Sequence, residues 1–162
     1  GIALEGMRLV KDYLPRAFQN GQDLEARAQM MSAAMMGATA FQKGLGAIHA
    51  MSHPIGAVFN THHGTTNAVC MPAVLDLNEP EIRERFDRAA GYLGIDGGYD
   101  GFRAFVQEFN DSFGIPRKLS DMGVSADRID DLVAMALEDP SCGGNPVTLT
   151  TENLRKLFEA TI

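Results

Sequence analysis

Apolar residues recur every three or four positions along nearly all of this 162-residue chain, and nowhere every two. That spacing puts an apolar stripe along an α-helix, whereas a half-buried strand needs alternation. The nearest thing to a strand, VTLT at 147–150, is too short to count. The pattern therefore restricts the fold to an all-α helical bundle.

Turn and cap signals divide the bundle. A first helix is expected over 2–18, through Leu4, Met7, Leu9 and Val10, with Pro15 bending or ending it. Asn20-Gly21 breaks the chain, and Asp23 caps a second helix over 24–41. Met30, Met31, Met35 and Met36, set among Ala, Gly and Ser, make that helix read as a thin, buried core element. Beyond the histidines, residues 64–77 predict one helix with Pro72 inside it, and Pro80 opens another that Gly94 closes. Further helices are expected over 99–113, over 126–137 with Ser125 as cap, and after a cap at Thr150 or Thr151. The Gly-rich stretches IDGGYDG and SCGGNP read as turns, since a phosphate-binding loop would need a strand before it. Gly1 stands inside an amphipathic pattern with no capping residue and no initiator Met, so the chain reads as part of a longer protein.

Composition excludes several function classes. A net charge of −7 with no basic run argues against nucleic acid. No apolar stretch reaches the roughly 20 residues of a membrane span. Cys70 and Cys142 are too few and too far apart for a disulfide framework, which suits a reducing, cytoplasmic setting.

All four histidines, His49, His53, His62 and His63, fall within GLGAIHAMSHPIGAVFNTHHGTTN at 44–67. Neutral imidazole is a common transition-metal ligand, so the grouping points to a metal. His49 and His53, four apart, share a helix face. HAMSH has the spacing of a zinc-protease motif but lacks the glutamate that acts there as base. His62-His63-Gly64 lies where a loop becomes a helix, from which a ring can turn back toward His49. No Asp or Glu lies between Gln42 and Leu75, so the segment offers imidazole alone. Two imidazoles fall short of a site that wants about four ligands, or three and an open position, and the chain looks like half of one.

GLGAIHAMSHPIGAVFNTHHG, with NAV and MP after it and DLEAR and AFQKGLG before it, resembles the second signature of the iron-containing (group III) alcohol dehydrogenases. The likeness covers residues 1–162 as a single helical, metal-binding C-terminal domain of the dehydroquinate synthase-like fold. It implies an N-terminal nucleotide-binding domain, absent from this chain, that carries an Asp and a His ligand upstream. It also implies that His49 and His63 bind the metal, while His53 faces the nicotinamide and relays protons. His62 stands where relatives often have Pro, and is expected beside the ligands or in solvent. Phe59 and Asn60 are candidates for cofactor contact, with plain packing and turn chemistry as their alternatives. The implied cofactors are Fe(II), with Zn(II) equally compatible, and NAD or NADP. The implied reaction is metal-assisted hydride transfer between an alcohol and its aldehyde or ketone, in a homo-oligomer of two or more subunits. On this reading the chain alone is inactive. Two rival readings are a stand-alone divalent-metal module and a structural helical domain whose histidines only pack.

Overall fold

The computed structural model describes residues 1–162 and contains only helices and turns. Seven α-helices follow in order: α1 (Ile2–Gln19), α2 (Leu24–Ala40), α3 (Ala47–Phe59), α4 (His63–Leu93), α5 (Gly98–Ser112), α6 (Ile129–Glu138) and α7 (Thr151–Thr161). No helix is long and apolar enough to cross a membrane.

Several boundaries follow from local chemistry. The Asp23 carboxylate accepts from the Ala26 N–H at the start of α2. Thr150 and Asn153 form a reciprocal capping box on α7. Gly94 ends α4 with φ +67, a left-handed conformation that glycine adopts at little cost. Ser125 behaves differently from expectation. Its hydroxyl bonds to the Asp127 carboxylate, residues 126–128 form a 3-10 turn, and α6 proper starts only at Ile129.

The two helices expected over 64–77 and 80–93 are one, the 31-residue α4, which runs through Pro72 and Pro80. A proline leaves the carbonyl four residues earlier without its helical donor. For Pro72 that carbonyl is Ala68 O, and Asn110 of α5 donates to it at 3.0 Å. Near Pro80, the buried Tyr99 hydroxyl donates to Leu75 O at 2.7 Å, fastening α5 to the same stretch. At Pro72 the neighbouring helix thus supplies the donor that the proline lacks.

A third expectation to fail concerns α2. Only Ala26 and Ala33 are buried there, and Met31 and Met35 are 75% and 64% exposed. A helix that is apolar or small all round carries no stripe to say which side packs. Here it pairs with α1, where a Cβ at Gly6 would lie 3.4 Å from Met36 Cβ.

Two apolar clusters share α4. The larger joins Met51 and Ile55 of α3, Val69, Cys70 and Val74 of α4, and Leu132, Leu154 and Phe158 from α6 and α7. The smaller packs Leu75, Ile82 and Leu93 of α4 on Tyr99, Phe102 and Val106 of α5. Between the α1–α2 hairpin and α4–α5 runs an apolar groove of about 460 Å³.

Candidate metal centre

His49 and His53 stand one turn apart on α3, and His63 is the first residue of α4. Asn60 makes the turn between the helices possible. It closes α3 in the left-handed conformation, φ 54 and ψ 39, and donates its N–H to Gly56 O. Thr66, fully buried, donates to Thr61 and so ties the first turn of α4 to that connection. Phe59 packs against the larger core.

This turn brings three imidazoles into a triangle. Ring centroids are 5.3 Å apart for His49 and His63, 5.5 Å for His49 and His53, and 5.7 Å for His53 and His63. His62 is not part of it. Its Nδ1 accepts from the Thr65 N–H at 3.3 Å and pairs with the Thr65 hydroxyl at 3.0 Å, so the ring caps α4.

The spacing can be tested against a metal. A coordinating nitrogen lies about 2.0–2.1 Å from the ion, so a centroid lies about 3.2 Å out and two tetrahedral ligands sit about 5.2 Å apart. The 5.3 Å separation of His49 and His63 fits that geometry, and the 5.5 Å of His49 and His53 fits it nearly as well. No group of three or more His, Cys, Asp or Glu side chains within this chain is arranged to hold a metal ion. Burial, together with the neighbouring His63 and His53, pushes the His49 pKa below its usual value. That keeps the ring in the neutral, ligating form.

Two polar residues stand against these rings, Asn67 from within the segment and Asp139 from far outside it. Asn67, one turn after His63, places its amide nitrogen 3.0 Å from His63 Nε2, and its own carbonyl oxygen is buried without a partner. Its i,i+4 spacing from His63 was a signal available in the sequence. Asp139, 86 residues from His53, lies 2.8 Å from its Nδ1. Burial acts to raise the Asp139 pKa, but hydrogen bonds from His53 and Ser141 outweigh it and hold the carboxyl below its usual range. The histidine segment lacks a carboxylate of its own, and the fold brings one to it.

The family model described as Fe-containing alcohol dehydrogenase family, C-terminal, matches residues 1–162. A 4-hydroxybutyrate dehydrogenase from Cupriavidus necator is 40% identical over 98% of the chain, and an NAD-dependent methanol dehydrogenase from Bacillus methanolicus is 36% identical over 98%. The crystal structure of a 1,3-propanediol oxidoreductase superposes with a TM-score of 0.94 at 29% identity, over 99% of the chain. In each case the chain spans 44% of the relative's own length. With the match running from the first residue to the last, the chain belongs to the iron-containing alcohol dehydrogenase family and corresponds to its C-terminal helical domain.

Proposed function

We propose that this chain supplies half of the divalent-metal centre of an NAD(P)-linked alcohol dehydrogenase, with His49 and His63 as its ligands. The observation that carries this reading is the 5.3 Å spacing of those two rings, set by the tight α3–α4 turn. The remaining ligands, an Asp and a His by family resemblance, come from a nucleotide-binding half of the polypeptide. Fe(II) and Zn(II) both accept this mixture of imidazole and carboxylate. The substrates are small alcohols and their aldehydes, the class to which the relatives' substrates belong.

When bound, the ion supplies Lewis acidity that favours the alkoxide. The chain's own residues do the rest. His49 and His63 present ring nitrogens from two helices joined by a short turn. His53, with its side chain 43% exposed, accepts the proton that leaves the alcohol and passes it to solvent. Asn60 makes the turn and Phe59 packs on the core beside it, and both stand next to the site as candidates for cofactor contact. His62 caps a helix and takes no part in the chemistry. With the nicotinamide site in the other half, the chain alone turns over no alcohol. The two free cysteines suit a reducing, cytoplasmic setting, and the assembled enzyme is a homo-oligomer.

Anaerobic titration with Fe(II), then Zn(II), tests the reading through the imidazole NMR signals. Weak binding that moves the His49 and His63 signals is expected, lost in the His49→Ala/His63→Ala variant and kept in His62→Ala. Binding indifferent to that double variant would remove the metal assignment. Tight stoichiometric binding would favour a stand-alone metal module instead.

A further inference from the structure

The loop from Asp139 to Val147 packs along α3 and touches it at two levels. At the lower level, Asn145 Oδ1 accepts the Ala47 N–H at 3.0 Å, capping the start of α3 from 98 residues away. Gly144 makes room for this approach, because a Cβ there would lie 1.9 Å from Leu45 O. At the upper level, the Asp139 carboxylate meets His53. One of its oxygens accepts the Ser141 N–H at 2.8 Å, and the other lies 2.8 Å from His53 Nδ1. The Asp139 side chain is 12% exposed while that of His53 is 43% exposed, so the carboxylate is fixed and the ring has solvent beside it. An ionised carboxylate has no proton to give, so in a neutral pair the hydrogen must sit on Nδ1. His53 Nε2 is then the basic nitrogen, on the side of the ring away from Asp139, and it has no protein partner.

We infer that Asp139 is the positioning residue for His53: held by the Ser141 backbone, it fixes the Nδ1–H tautomer and presents Nε2 as the proton acceptor beside His49 and His63. The inference rests on the relay role given to His53 above, but its physical content, a fixed tautomer, stands apart from it. During alcohol oxidation the substrate hydroxyl proton moves to Nε2, the resulting imidazolium is stabilised by Asp139, and the same proton leaves Nε2 for water. The electron pair stays on the substrate oxygen, and Asp139 never takes the proton. Asp139 therefore acts through His53 and touches no reacting atom.

Long-range proton–nitrogen NMR of the imidazoles, at a pH where His53 is neutral, tests this without metal, cofactor or alcohol. In the unsubstituted chain, the Nδ1–H form of His53 should exceed the other tautomer about tenfold or more, as a charged hydrogen bond implies. Asp139→Asn keeps an oxygen for the Ser141 N–H and turns an amide N–H toward Nδ1, so the preference should collapse or reverse. The His49 and His63 tautomers and the thermal midpoint should stay near their starting values. A His53 that carries its proton on Nε2 in the unsubstituted chain overturns the inference whether or not the variant folds. An unchanged tautomer in a folded Asp139→Asn variant does so as well. If the tautomer behaves as stated but metal titration leaves His49 and His63 untouched, the metal assignment of those two residues fails and the positioning role of Asp139 remains.

Discussion

The side-chain amides of Asn78 and Asn145 face each other and exchange hydrogen bonds in both directions, at 2.9 and 2.7 Å. Asn145 also accepts the Ala47 N–H and donates to Val147 O, so both lone pairs and both protons of its amide are used. Four polar groups would lose a partner together in Asn145→Ala. We expect that variant to lose about 2–3 kcal/mol of stability in urea unfolding. A loss within experimental error would mean that water replaces the amide without cost.

The glycines of the same loop should separate sharply. Gly144→Ala drives a Cβ into the Leu45 carbonyl, where neither side is a flexible side chain, whereas a Cβ at Gly143 meets nothing within 4 Å. Thermal melts should put Gly144→Ala about 3 kcal/mol or more below the parent, and Gly143→Ala within about 1 kcal/mol of it. Equal melting temperatures would show that the loop can lift away from α3.

The partnership of Asn110 with Pro72 can be measured as a coupling. Asn110→Ala leaves Ala68 O without a donor and should cost about 1–2 kcal/mol. In Pro72→Ala the restored backbone N–H can take over that carbonyl, so removing Asn110 as well should cost less than it does alone. A double-mutant cycle with about 1 kcal/mol of coupling is expected, and strict additivity would refute the account.

Glu5 links stability to acid. The Arg8 guanidinium first, then the Tyr92 hydroxyl, pull its pKa from 4.5 down to about 2. A depressed carboxylate stabilises the fold above its unfolded pKa, and that contribution fades as the pH falls from 4.5 toward about 2. Glu5→Gln should therefore flatten the pH dependence of the urea midpoint across that window and leave the slope near neutrality unchanged. A parallel decline in both proteins would show that Glu5 contributes nothing.

Much of the bundle was legible because its signals are local. The caps at Asp23 and Thr150, the stop at Gly94 and the shared face of His49 and His53 each depend on residues within one turn. The failures have the opposite character. The donor that lets α4 pass Pro72 is 42 residues from the Ala68 carbonyl it serves, and the carboxylate on His53 is 86 residues away. No window of sequence contains either partnership. Met31 and Met35 were misread for another reason: the exposed side of α2 is as apolar as its packed side, so periodicity gave no direction. The proposed metal pair stands apart, since spacing alone favoured His49 with His53, and only family resemblance pointed to His49 with His63.

The bond from Asn110 to Ala68 also sets a phase. Ala68 lies five residues beyond His63, and the bond fixes α4 against α5 at that level. Each residue of an α-helix turns the chain by about 100°. One residue added or lost between 64 and 67 would swing the His63 imidazole to another side of α4, away from α3, while leaving both apolar clusters intact. An insertion beyond Gly94 would leave the ring where it is. Over evolutionary time, this short stretch can drift in composition and still serve, but it tolerates no change in length.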